Sequence, residues 1–158
     1  MSQKVPMTLI GKKMLDLELK KLMSVDRPEV IHAIEVARGH GDLSENADYS
    51  AAKERQGFVE GRIQEINGKL INAEVINPSQ IQSETVVFGA TITLEEADSG
   101  NEVTYQIVGV DEADIKQNKV GITSPMARAL IGKQEGDEII VNAPKGKIAY
   151  TISKLDYL

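Results

Sequence analysis

Five apolar residues, Val59, Ile63, Ile66, Leu70 and Ala73, recur at spacings of 4, 3, 4 and 3, and this pattern limits the chain's fold more than any other. Steps of three and four keep side chains on one narrow stripe of an α-helix, and such a stripe is a coiled-coil seam that needs a partner helix. A partner lies upstream: Leu15, Leu19 and Leu22 begin a second seam, and Val30, Ile34 and Ala37 resume it. Residues 7–75 therefore read as helical, apart from the short "GHG" segment at 39–41, which folds the two seams back as an antiparallel hairpin. About 27 residues on the first arm, at ~1.5 Å each, give a reach of roughly 40 Å. One irregularity interrupts it. Leu22 and Val30 are eight residues apart instead of seven, a one-residue slip that resembles a stutter. Asp26 and Glu29 fit a capping box with Pro28 in the first turn, so a kink or a fresh helix start is expected near Asp26.

Around residues 77–84, "NPSQIQSE" is polar and turn-rich, and beyond it the apolar period changes from helical to alternating. "VVFGATITL", "VTYQIVG", "KVGIT", "EIIVN" and "KIAYTISKL" read as strands separated by "DSGN", "EGD" and "PKG" turns. One short helix, "SPMARALIG", has Ser124 as N-cap, Pro125 in the first turn and Gly132 as a stop. The fold class expected is α+β. It comprises an N-terminal antiparallel coiled-coil hairpin over residues 1–78, a linker at 79–84, and a small, mostly antiparallel sheet domain with one short helix over 85–158.

Composition narrows the function classes. Eighteen basic against 24 acidic residues leave a net charge of -6, which argues against wrapping duplex DNA by phosphate neutralisation, though a local basic patch remains open. The absence of cysteine removes disulfides, thiolate zinc sites and thiol nucleophiles. The start "MSQKVPMTLIGKK" has no apolar signal core and no run of membrane-spanning length follows, so a cytoplasmic protein with no membrane partner is expected. Aromatics make up 4% with no Trp, which disfavours a base-stacking platform or an aromatic-lined pocket.

The hairpin tip, "GHGDLSENADY", spaces Asp42, Glu45 and Asp48 by threes. Two readings fit it. In one, Asp42 is the N-cap of the returning helix and Glu45 reaches back in a capping box, both at the positive end of the helix dipole. In the other, an arm longer than a small core needs delivers oxygen ligands into a site elsewhere. Asp42 and Glu45 suit Mg²⁺, but two carboxylates are too few to hold the ion alone, so a partner and a phosphate would complete a shared site. An EF-hand does not fit, since it wants acids at alternate positions around a central Gly. His40, between glycines, reads as a turn residue before it reads as a general base. Arg38, Lys53, Arg55 and Arg62 flank the tip; each is a solvated, charge-paired residue on the bland account, while together they would steer a nucleic-acid backbone, Arg38 and Lys53 first. Gly57, Gly61 and Gly68 fall on outward faces of the second helix, where a close external contact or local bending is open to them.

"RPEVIHAIEVARGHGDLSENADYSAAKERQGFVEGRI", "VVFGATITL", "VGVDEADIKQNKVGITSPMARALIGKQEGDEIIV" and the final "LDYL" resemble, in order and over essentially the whole chain, the GreA/GreB family of bacterial transcript cleavage factors. The resemblance implies a coiled coil that enters the secondary channel of RNA polymerase and a C-terminal domain, similar to FK506-binding proteins, that docks at the channel rim. It implies stimulation of the polymerase's own hydrolysis of backtracked RNA, with the RNA 3′ end as a second partner and no autonomous active site. By motif, Asp42 and Glu45 match the acids that help hold a second Mg²⁺ and orient water; no cofactor is expected on the chain alone, and the Mg²⁺ is shared with the polymerase. Ser44 and Asn46 would be secondary tip contacts, Arg38 and Lys53 the RNA-facing cations, and Ser124, Pro125, Met126, Ala127 and Arg128 a docking surface by pattern. A monomer is expected. "NGK" at residues 67–69 departs from the strong helix formers usual there, and the few tip cations fit the less basic of the family's two branches. The competing expectations are a member of the more basic branch, a channel-binding regulator without cleavage, a structural coiled coil indifferent to Asp42 and Glu45, and a prolyl isomerase. The last would need an aromatic-lined pocket from Phe88, Tyr105, Tyr150 and Tyr157.

Overall fold

The seams expected to pair do pair, and the ion pairs across them fix their direction. The computed structural model describes residues 3–158. Its contacts divide the chain into a unit comprising Lys12–Ala73 and a unit comprising Lys4–Gly11 with Glu74–Leu158; the expected boundaries at 78 and 85 fall inside the second of these. The helical elements are α1 (Leu9–Lys21), a π-helical turn (Leu22–Asp26), α2 (Arg27–Arg38) and α3 (Ala47–Ile71). Leu15, Leu22, Val30, Ile34 and Ala37 are buried on one arm, and Ala52, Val59, Ile63 and Ile66 on the other. Arg62 pairs with Glu18 at 2.6 and 2.8 Å, Arg27 with Glu60 at 2.9 and 2.8 Å, and Arg55 with Glu29 at 3.3 Å. The residue number falls on one helix as it rises on the other, as an antiparallel pair requires.

The structure answers the eight-residue spacing differently from the sequence reading. No fresh helix starts at Asp26: its backbone is helical (φ -68°, ψ -44°) and its side chain makes no cap bond, so the Asp26/Glu29 capping box does not form. The chain instead continues through one π turn, in which the Arg27 N–H bonds to the Leu22 carbonyl five residues back. A π turn holds one residue more than an α turn, and this is the one by which the seam slips. Pro28, just beyond, has no N–H to donate, and in a straight α-helix its ring would crowd the Ser24 carbonyl, a clash that the widened turn eases.

Two further corrections concern the ends of the helical stretch. Residues Val5–Thr8 and Ala73–Ile76 form strands β1 and β2 of a two-stranded sheet, so Met7 precedes the helix and Ala73 has left the seam. Strands β3 (Thr91–Glu96), β4 (Glu102–Val108), β5 (Lys119–Gly121), β6 (Glu138–Ala143) and β7 (Gly146–Asp156) form a sheet in the order β5-β4-β3-β7-β6, antiparallel except for β4 with β5. Helix α4 (Pro125–Leu130) packs beside β5 and β6. Alternation places Ile92 and Leu94, Ile139 and Val141, and Tyr150 and Ile152 in the core with Ala127 and Leu130. The expected strand at Val86 begins only at Thr91, because Gly89 turns the chain at φ +91°, where the Pro78 ring lies 3.3 Å from any added Cβ.

A buried carboxylate ties β1 and the start of α1 into this second unit. Glu112, 6% exposed, accepts from the Thr8 N–H at 3.0 Å, the Gly109 N–H at 3.3 Å and the Thr8 hydroxyl. Thr8 Oγ1 in turn accepts from the Gly11 N–H at 3.1 Å. A Cβ at position 11 would overlap the Glu112 carboxyl group, so a larger residue there would have to displace that carboxyl from its bonds.

Two outcomes follow for the hairpin. Deleting Ser24 together with Pro28→Ala removes both the extra residue and the reason for widening, and helix content and melting temperature by circular dichroism should be retained. Deleting Ala33 instead moves Ile34 and Ala37 off the seam and should cost about 2 kcal/mol or more. The second outcome concerns acid. Hydrogen bonds from Arg62, Arg27 and Lys69 hold the carboxyls of Glu18, Glu60 and Glu65 below their ordinary value of 4.5. A carboxyl depressed in the folded state contributes stability that is full above its unfolded value and is lost as pH falls through the folded one. Acid titration should therefore loosen the hairpin below pH 4.5, by a small amount because these pairs are solvent-screened.

Candidate functional site

The tip is built from the end of α2, the eight linking residues 39–46 and the start of α3. Helix α2 closes with N–H bonds from Gly39 to the Val36 carbonyl and from His40 to that of Ala37, both 3.1 Å. Gly41 follows at φ +104°, a left-handed turn that glycine adopts without strain. Asn46 is the N-cap of α3: its Oδ1 accepts from the Tyr49 N–H at 3.0 Å while its Nδ2 donates to the Ala37 carbonyl at 2.6 Å. One side chain thus satisfies an orphan donor of the returning helix and an acceptor near the end of the outgoing one.

This corrects the capping reading of Asp42 and Glu45. Asp42 lies four residues before the cap, outside the helix. Its Oδ1 accepts from the Ser44 N–H at 3.0 Å and the Ser44 hydroxyl at 2.7 Å, a local Asx turn. These bonds, the hydroxyl first, hold the Asp42 carboxyl below the usual range, so it is a carboxylate at neutral pH, with Oδ2 making no hydrogen bond among the described residues. Glu45 is exposed and makes no hydrogen bond or ion pair among the described residues. Relieved of capping, both acids face solvent as hard oxygen donors. Among the described residues no three His, Cys, Asp or Glu side chains are grouped so as to hold a metal ion. Asp42 and Glu45 therefore fit a divalent ion only as part of a set completed from outside.

The cations sort into two kinds. Arg55 reaches Glu29 and Asp26 (3.9 Å), and Arg62 reaches Glu18 and Glu65 (3.1 Å), so both belong to the hairpin. Arg38 is exposed and unpartnered among the described residues, and Lys53 donates only to the neutral Gln56 at 2.9 Å, not to an acid near Glu54. His40 Nδ1 lies 3.6 Å from Asp48 Oδ2, joining the turn to the first turn of α3. The backbones of Gly57, Gly61 and Gly68 meet open space, on outward faces as the seam required.

The second unit holds the other expected residues. Ser124 caps α4 through its hydroxyl, which accepts from the Ala127 N–H at 3.2 Å. Pro125 and Arg128 are exposed and Met126 is half-buried against the core. Ala127 has no exposed surface, so it seats the helix and is withdrawn from the docking set. Tyr150 is buried, and Phe88, Tyr105 and Tyr157 pack against the same core; the Tyr157 hydroxyl accepts from the Val87 N–H at 3.0 Å and donates to the Thr85 carbonyl at 2.7 Å. These rings serve packing. The clamp role of Asn46 was missed by sequence reasoning. Its signal was present in an N-cap residue with Asp48 in the following first turn, but the equally regular Asp42/Glu45 pattern competed with it.

Comparison with known proteins is consistent along the whole chain. Residues 5–75 match the family description "Transcription elongation factor, N-terminal", and residues 81–157 match "Transcription elongation factor, GreA/GreB, C-term". A transcription elongation factor GreA of Neisseria meningitidis is 58% identical over 157 residues, covering 99% of both chains. That of Alkalilimnicola ehrlichii is 58% identical over 155 residues, covering 98% of both. A crystal structure of GreA factor homolog 1 of Thermus thermophilus aligns at 24% identity and a TM-score of 0.45, over 97% of this chain and 99% of that one.

Capping and chemistry separate by mutation at this tip. Asn46→Ala should destabilise the hairpin by about 1 kcal/mol. Asp42→Ala, which removes no helix cap, should leave the urea midpoint within error of wild type; equal losses from both would return Asp42 to a capping role.

Proposed function

The chain belongs to the GreA/GreB family of transcription elongation factors, and from that premise we propose that it inserts its hairpin into the secondary channel of RNA polymerase and stimulates the polymerase's hydrolysis of backtracked RNA. The observation that supports this reading is that Asp42 and Glu45 take no part in capping the returning helix. Asn46 has taken over the cap, and an Asx turn keeps Asp42 ionised and offers its second oxygen outward.

Asp42 and Glu45 are the residues that would hold an Mg²⁺ shared with the polymerase site, the rest of its coordination coming from polymerase acids, water and RNA phosphate. Such an ion, when bound, supplies charge stabilisation to the attacking and leaving oxygens and acidifies water. This chain's own residues place two carboxylates at the end of an ion-paired arm and fix one through Ser44. Arg38 and Lys53 carry positive charge beside them that no acid in the hairpin neutralises, available to an RNA backbone. Pro125 and Arg128 present the exposed part of α4 to the channel rim. The chain works in the cytoplasm, where its polymerase is, as a monomer.

The test is RNA cleavage in stalled, backtracked elongation complexes. Asp42→Asn and Glu45→Gln should each bind polymerase like wild type yet lower the stimulated cleavage rate by about tenfold or more, ~1.4 kcal/mol or more of transition-state stabilisation. Arg38→Ala and Lys53→Ala should weaken stimulation by less and make it more salt-sensitive. Free RNA should not be cut. Undiminished cleavage by the Asp42→Asn/Glu45→Gln double variant would sink the reading.

A further inference from the structure

The two edges of the five-stranded sheet are treated differently. At one end β5 is three residues long, and its outer side is closed: Asp114 and Lys119 exchange both backbone hydrogen bonds, at 2.9 and 3.0 Å. At the other end β6 is six residues long and in unbroken register with β7 from Glu138↔Thr151 to Ala143↔Gly146. Among the described residues no backbone hydrogen bond reaches its far side. Edge strands are ordinarily blunted by proline, a bulge, inward charge or short length, and β6 has none of these.

The surface along that edge has a definite chemistry. Ile140 is 64% exposed, and a groove of about 450 Å³ beside it is lined by Arg128, Ala129, Lys133, Glu138 and Ile139. Arg128 and Lys133 are exposed and form no ion pair among the described residues, so two free cations face one carboxylate, Glu138, in a chain whose net charge is -6. An open ladder, an apolar contact and uncompensated positive charge together suit one kind of ligand. We infer that β6 takes an extended acidic segment of the polymerase as an added strand, with the backbone ladder supplying affinity, Ile140 an apolar contact, and Arg128 and Lys133 the preference for acidic residues.

The inference rests on polymerase as the partner, and its test separates the two claims. Amide hydrogen exchange is followed in the full chain with and without RNA polymerase core enzyme, and affinity is measured for wild type, Arg128→Glu/Lys133→Glu and Ile140→Lys. Slowed exchange within residues 138–143 on adding polymerase is expected, with both variants at least tenfold weaker and the charge dependence fading at high salt. The substituted side chains are exposed, and unchanged melting temperatures will verify folding. Polymerase binding without protection of β6, or full affinity in the charge-reversed variant, overturns this inference and leaves the cleavage reading standing. Failure of wild type to bind polymerase at all overturns both.

Discussion

The carboxylate of Glu112 is the polar interaction on which the N-terminal architecture turns. Buried carboxylates are costly unless their oxygens are fully engaged, and Glu112 is engaged by Thr8 twice and by Gly109. It thereby fixes the exit of β1 and, through Thr8, the first turn of α1. Thr8 Oγ1 accepts from the Gly11 N–H, so the opening turn of α1 is held through the same carboxylate. The absence of a side chain at Gly11 is part of the same arrangement, since any Cβ would occupy the space of the Glu112 carboxyl. A position chosen for emptiness and one chosen for charge, 101 residues apart in number, are a single device.

At the far end of the hairpin the division of labour is between neighbours. Asn46 caps the returning helix, Asp42 keeps only its local Asx turn with Ser44, and Glu45 makes no hydrogen bond or ion pair among the described residues. A tip in which the acids also capped the helix would have to break a cap to bind a metal. Here the helix start and the proposed ligand set use different atoms, so the acids are exposed with the turn already formed. The paired arginines along the arms serve the hairpin in the same sense: they hold the arms together, leaving Arg38 and Lys53 as charge that faces outward.

Much of this was legible in the residues. The seams, the antiparallel return, the five strands of the sheet and the capped helix at Ser124 all follow from local periodicity and capping chemistry, which act within a few positions. What was not legible depends on partners distant in sequence. Strands β1 and β2 are four residues each, too short to show alternation, and exist because they find one another. Glu112 looks like one surface acid among 24 until the fold closes over it. At the tip two cap signals competed, and the choice between them was made by the Ala37 carbonyl, which only the folded hairpin brings to Asn46. The eight-residue spacing was visible, but a stutter, a break and a π turn all accommodate it; Pro28 beside the slip favours the last.

That π turn also acts as a setting of azimuth. In an α-helix each added residue rotates all that follows by about 100° around the axis. Had the extra residue between Leu22 and Val30 been wound in as ordinary helix, the seam of α2 would have swung away from α3, and the tip acids with it. By taking up the residue in one widened turn, the chain keeps the inner stripe continuous and so determines the compass bearing at which Asp42, Glu45 and Arg38 leave the hairpin. The direction in which the tip points is thus decided some 20 residues before it, by how one turn is wound.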